Sequence, residues 1–209
     1  MMDYPALLQK GSHLIDKLLT TLQYTTRIDG HAAGLDAGAI NVYTSTHIKT
    51  DHECVTAEEA LDRVRRGMYV LMRQGTVAKD VKRLLPVVRP ETARRFLFCT
   101  DDKHLDDLVT EGSIDYNIRL AMECGIDPIT AIQMATINAA ECYQLPAKGA
   151  IALGYDADFL LVDDLLTFSI IDVYKAGMLV AQNGVYVGPE TVTEVKESKR
   201  ITHSVHLSL

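Results

Sequence analysis

Three times between residues 28 and 102 this chain passes from a short strand-like stretch through a His or Asp into a helical pattern. The stretches are Ile28-Asp29-Gly30-His31, Lys49-Thr50-Asp51-His52-Glu53 and Phe98-Cys99-Thr100-Asp101-Asp102. Strands alternating with helices predict an α/β fold with a parallel sheet. His31 and His52 lie 21 residues apart, about one compact βα unit, and His52 and Asp101 lie 49 apart, about two. In a (β/α)8 barrel such residues would end adjacent and next-but-one strands and face one shared mouth. Two imidazoles and a carboxylate meeting there suit a divalent ion such as Zn, Mn or Fe. The ion would acidify a water and the carboxylate would accept its proton. Each residue taken singly has a plainer reading. A lone His at a strand end is commonly structural, and Asp101-Asp102 ahead of a helix can simply be a capping pair.

The remaining pattern fills in this frame. Gln23 to Asp29 leans towards β, Gly34 to Thr46 holds a short helix, and His47 to Thr50 reads as a strand. Thr56-Ala-Glu-Glu59 matches a capping box, in which side chains at both ends satisfy free backbone N–H groups. Ala57, Ala60, Leu61, Val64, Met68 and Leu71 then form an amphipathic stripe that Gly75 breaks. Lys79 to Leu85 is expected to be helical, Ala93 to Cys99 a strand, and Tyr116–Glu123 and the run from Pro128 helices. Asp127-Pro128 supplies an N-cap and a favourable first helical position. From Gly149 the texture changes to short strands at Ala157–Val162, Ile170–Lys175 and Met178–Tyr186, with Asn183-Gly184 a strong hairpin signal. The expected division is residues 1–145 in the α/β part and 146–209 in a small β part with a polar, loosely ordered tail.

Charge and composition exclude several classes. Among 209 residues, Lys and Arg total 21 against 28 Asp and Glu, a net charge of −7, with no basic run to pair with phosphates. No nucleic acid or membrane partner is expected, since no apolar run is long enough to span a bilayer. The four cysteines, at 54, 99, 124 and 142, include no CxxC pair and read as reduced thiols of a cytoplasmic protein. The sequence lacks HExxH, GxGxxG, GxxxxGK[ST] and GxSxG. It also lacks the HxE…PCxxC signature of cytidine-type deaminases. His13, His47, His104, His203 and His206 sit in helical, strand-start or tail contexts and receive no role.

Several longer stretches resemble the bacterial adenine deaminases, a family of the amidohydrolase superfamily. They are Ile28-Asp-Gly-His-Ala-Ala-Gly-Leu35, Thr50-Asp-His-Glu53, Glu58-Glu-Ala-Leu61 with Arg66-Gly-Met68, and Phe98-Cys-Thr-Asp-Asp102. Gly125-Ile-Asp-Pro128, Met134-Ala-Thr-Ile-Asn-Ala-Ala-Glu141 and Gly149-Ala-Ile-Ala-Leu-Gly-Tyr-Asp-Ala-Asp158 continue the likeness to about residue 190. The resemblance implies a partial (β/α)8 barrel, about strands five to eight, followed by part of a small β domain. It implies hydrolysis of adenine to hypoxanthine and ammonia at a divalent metal, Mn or Fe with Zn as the alternative. His31 and His52 would be metal ligands on strands five and six. Asp101 would be the metal-binding, proton-shuttling aspartate of strand eight.

The departures carry equal weight. Family members bear an upstream HxH pair and a metal-bridging Glu, and this sequence contains no HxH. Met1-Met2-Asp3-Tyr4-Pro5 resembles the segment just after that Glu, so the expectation is a truncated chain, inactive alone. Ala33 replaces a usual Pro, and Ser113 a common His. Two further readings stand beside this one: a non-catalytic remnant or subunit that complements a separate N-terminal chain, and an amidohydrolase acting on another cyclic amidine or amide. An open half-barrel leaves strand edges and apolar surface uncovered, so a homo-oligomer or a complementary chain is expected.

Overall fold

A computed structural model describes residues 3–189. Short α1 (Tyr4–Leu8) and α2 (Ser12–Tyr24) lead to a stretch without regular secondary structure that reaches His31. The β-leaning reading of residues 23–29 is not borne out: Gln23 and Tyr24 complete α2, and residues 25–29 form no strand. Residues 28–31 are not laddered into the sheet, yet they run against it. The Gly30 N–H donates to Thr50 Oγ1 at 2.8 Å, and the Thr50 hydroxyl donates to Asp29. A Cβ on Gly30 would stand 1.9 Å from the Thr50 carbonyl oxygen, so only glycine permits this approach.

The helix α3 (Ala37–Ser45) matches the short helix expected there and is capped by Asp36, which accepts the Ala39 N–H at 2.8 Å. The chain then enters β1 (Thr50–Asp51), shorter than the strand read over 47–50. α4 (Ala57–Arg65) begins at the capping box as expected: Thr56 Oγ1 accepts the Glu59 N–H, and Glu59 Oε2 accepts the Val55 and Thr56 N–H groups. Its amphipathic stripe does not reach Leu71. Gly67, at φ +81°, ends the helix, and β2 (Tyr69–Arg73) follows. The run Met68-Tyr-Val-Leu-Met-Arg73 is buried on both faces, so it has no period-2 signal, and Met68 and Leu71 fell by coincidence on a helical spacing. The intervening strand that the 49-residue offset required is therefore present, in residues read as helix.

After α5 (Val81–Leu84) and 3-10 turns at 85–87 and 93–95, β3 (Phe96–Cys99) completes a parallel sheet in the order β1-β2-β3. α6 (Leu105–Thr110), α7 (Ile114–Glu123), α8 (Pro128–Ala135) and α9 (Ile137–Cys142) follow. Asp127 caps α8 through the Thr130 N–H at 2.9 Å. Val70, Met72, Phe96 and Phe98 of the sheet are buried with Ile118, Leu120 and Ala121 of α7 and Ala131 and Met134 of α8. A second cluster, including Leu7, Leu18, Ile40, Tyr43 and Ile48, fills the space under α1 to α3.

The remaining described residues form an antiparallel sheet of β4 (Phe159–Val162), β5 (Ile170–Lys175), β6 (Met178–Gln182) and β7 (Val185–Tyr186), in that order. Asn183 and Gly184 both take positive φ between β6 and β7, as a two-residue hairpin turn requires. The polar tail expected after residue 190, with His203 and His206, lies outside the described residues. Among the described residues no helix is long and apolar enough to cross a membrane.

Gly75 does not break a helix. It follows β2, where a Cβ would stand 1.6 Å from Asp102 Oδ1 and 2.8 Å from the Thr100 carbonyl oxygen. Asp102 in turn does not cap α6, whose N-cap is His104; its Oδ2 accepts the Val77 and Ala78 N–H groups at 3.0 and 3.4 Å. Gly75→Ala must dislodge this carboxylate and is expected to cost about 1–3 kcal/mol. Urea unfolding followed by circular dichroism measures it, and an unchanged midpoint would show that Asp102 yields freely.

Candidate metal centre

His31 and His52 come together beside β1, although His31 is not itself carried by a strand. His31 closes the irregular stretch that runs beside β1, and His52 and Glu53 immediately follow β1. His31 Nδ1 lies 3.2 Å and His52 Nε2 3.3 Å from one oxygen of Glu53, Oε1. The imidazole rings stand edge to face with centroids 5.4 Å apart. One ligand atom from each of these three partly buried residues lies within 4.8 Å of the other two. Donors bound tetrahedrally at about 2.1 Å lie roughly 3.4 Å apart, so the two short separations match a single shared ion. The imidazole and carboxylate donors suit Zn, Mn or Fe.

Asp101 is near this cluster but not in it. It sits two residues past β3 at φ +49°, with its side chain 41% exposed. Arg73, the last residue of β2, joins the two: its Nη1 donates to Glu53 Oε1 at 2.7 Å and to Asp101 Oδ2 at 3.0 Å. Its Nη2 reaches Glu53 Oε2 at 3.4 Å and stands 3.7 Å from Asp80. Burial pulls the Arg73 pKa down, but the hydrogen bond to Asp101 and the charge of Glu53 more than offset this, leaving it raised.

Behind the cluster lies a buried ion pair that sequence reading did not identify. Asp51 is fully buried, and Oδ2 accepts from Arg63 Nε at 3.3 Å. Asp51 Oδ1 accepts the Ala32 N–H at 3.1 Å and the Glu53 N–H at 3.0 Å. Arg63 Nη2 donates to the carbonyls of Ala32 and Leu35. The Tyr43 hydroxyl accepts the His31 N–H at 2.8 Å; burial pushes its pKa up to about 12, so it stays a neutral partner. One Asp–Arg pair thus fixes the two loops that carry the imidazoles.

The profile of the Amidohydrolase family matches residues 12–205. The chain belongs to the amidohydrolase family. Among curated relatives, the adenine deaminase of Geobacillus kaustophilus (strain HTA426) is 60% identical over 205 residues, covering 98% of this chain and 36% of that protein. The adenine deaminase of Bacillus pumilus (strain SAFR-032) is 52% identical over 206 residues, covering 99% and 35%. The chain therefore spans about a third of the length of these relatives. Among solved structures, a β-aspartyl dipeptidase from Fervidobacterium islandicum AW-1 gives a TM-score of 0.59 at 20% identity, covering 76% of this chain and 48% of that one. An N-acetyl-D-glucosamine-6-phosphate deacetylase from Mycobacterium smegmatis gives 0.59 at 17% identity, covering 73% and 47%. These likenesses establish an amidohydrolase fold.

The cysteines of this amidohydrolase chain are free thiols. Burial pushes Cys54 well above the usual thiol range, Cys99 up to about 12 and Cys142 up to about 11. Cys124, at the end of α7, is exposed. At pH 8 a disulfide reagent is expected to titrate Cys124 rapidly and the other three only on unfolding, because the thiolate is the reactive form. Cys124→Ser should abolish the fast phase; a persistent fast phase would mean that a buried thiol opens readily.

Proposed function

We propose that this chain contributes the later half of the active site of a metal-dependent aminohydrolase that converts adenine to hypoxanthine and ammonia. On this reading residues 1–145 are the C-terminal half of a (β/α)8 barrel, with the 28–31 stretch and β1 to β3 as strands five to eight, and residues 146–209 belong to a small β domain. One observation carries the chemistry. His31 and His52 lie 21 residues apart in sequence, yet converge with Glu53 on a single point beyond the strand ends, with Asp101 tied alongside. The substrate is supported by the relatives named adenine deaminase at 52–60% identity.

His31, His52 and Asp101, with Glu53 added by the geometry, would hold the metal, Mn or Fe with Zn as the alternative. When bound, such an ion supplies Lewis-acid chemistry at neutral pH. Asp101 accepts a proton at its carboxylate from the attacking water and delivers it to the departing amino group, a task its partly exposed side chain allows. Adenine plus water thereby yields hypoxanthine plus ammonia. These 209 residues carry no HxH pair, so a two-metal centre needs donors from elsewhere, and the chain alone is expected to be inactive. A complementary chain, or self-association, would also cover apolar side chains such as Leu160, Leu161 and Met178, which stand exposed on the small sheet.

The test is adenine loss by absorbance and ammonia release, with added Mn or Fe(II), for the chain alone and for the chain co-expressed with the N-terminal part of a relative. Metal-dependent turnover in the combination alone is the expected result. Turnover near ~1–10 per second by the single chain would refute the need for further donors. Preference for another cyclic amidine or amide would refute the substrate.

A further inference from the structure

We propose that Arg73 is a positioning residue that holds Asp101 against the His31–His52–Glu53 cluster; the assignment rests on the metal-site reading above. Three observations support it. Arg73 lies on the middle strand, between the two strand ends that carry Glu53 and Asp101, and pairs in register with Cys99. Its Nη1 hydrogen bonds to both carboxylates at once, at 2.7 and 3.0 Å. Among the described residues Arg73 is also the hydrogen-bond partner that Asp101 has, although Asp101 occupies a left-handed backbone conformation with its side chain 41% exposed. Among the described residues no other group hydrogen bonds to that carboxylate.

The residue type fits the task. A planar guanidinium presents several N–H groups in a fixed fork, so one side chain can serve two carboxylates from a defined direction. A lysine ammonium is a point charge on a flexible stem and does not enforce that geometry. The Arg73 side chain is mostly buried, and Asp80 stands 3.7 Å from its Nη2, so the guanidinium is confined among three carboxyl groups. Hydrogen bonds of this kind to metal-binding carboxylates orient them, and their removal typically lowers metal affinity by about 10–100-fold.

The experiment titrates Co(II) into the metal-stripped 209-residue chain, reading affinity and the visible d–d spectrum, for wild type, Arg73→Met, Arg73→Lys, Asp101→Asn and the Arg73→Met/Asp101→Asn double variant. Circular dichroism confirms that each is folded. Arg73→Met is expected to weaken Co(II) binding about 10–100-fold and to give the altered spectrum of Asp101→Asn. Arg73→Met should cost less in the Asp101→Asn background than in wild type, because the part of its effect that runs through Asp101 is then already lost. Arg73→Lys, the safer variant for folding, should recover charge but not the wild-type spectrum. Unchanged or tighter binding by both Arg73 variants would overturn the proposal, as would additive losses in the double variant; tighter binding would mean that Arg73 competes with the ion. No binding by wild type, or wild-type binding by His31→Ala, would instead overturn the metal site itself, and this assignment with it.

Discussion

Replacing Arg63 by methionine is expected to destabilise the fold by about 3–5 kcal/mol, because it strands the Asp51 carboxylate. Asp51 is 0% and Arg63 2% exposed, so water cannot replace the lost partner. The Ala32 and Leu35 carbonyls that Arg63 Nη2 satisfies lose their donor as well. A domain of ordinary stability has about 5–15 kcal/mol in hand, so the loss is a large share of the whole. Urea unfolding of Arg63→Met measures it. Asp51→Asn with Arg63→Met should be milder than the sum of the two single changes, since the isolated charge is then gone. A cost below about 1 kcal/mol for Arg63→Met would mean that the pair is hydrated in solution.

In the reconstituted enzyme, His31→Ala, His52→Ala and Asp101→Ala are each expected to abolish turnover. Loss of a proton-transfer group alone costs about 10²–10⁴-fold. Loss of an imidazole ligand should exceed the roughly 10–100-fold produced by changes around a ligand. His13→Ala and His104→Ala serve as controls, since His13 is exposed on α2 and His104 is exposed at the start of α6. Steady-state rates and bound-metal content for the five variants provide the check. Equal losses at all five would show that these histidines act through folding.

The legible parts of this molecule are those with local signals. The capping box at Thr56–Glu59, the Asp127-Pro128 helix start and the Asn183-Gly184 hairpin each stand where neighbouring residues alone dictate structure. The approach of His31 to His52 was legible because successive βα units recur at a set spacing, even though the stretch carrying His31 is not laddered into the sheet. Glu53 lay beside His52 in the same stretch but received no role, and adjacency to a candidate ligand was its only signal. β2 was hidden because a strand buried on both faces is uniformly apolar and can mimic a helical stripe, and Arg73 was hidden with it. Arg63 and Asp51 gave no signal, since a charge on an amphipathic helix is ordinarily solvated and only the tertiary contact buries it.

One oxygen of Asp51 also links the motions of the site. Its Oδ1 accepts the amide that follows His31 and the amide that follows His52, those of Ala32 and Glu53. Neither amide can be exposed to solvent by an opening in which Asp51 moves without freeing the other. In hydrogen exchange the pair should therefore lose protection together, with a common opening free energy and a common response to denaturant. Two loops 21 residues apart in sequence would then behave as one cooperative unit, so that the imidazoles they carry are presented or withdrawn jointly.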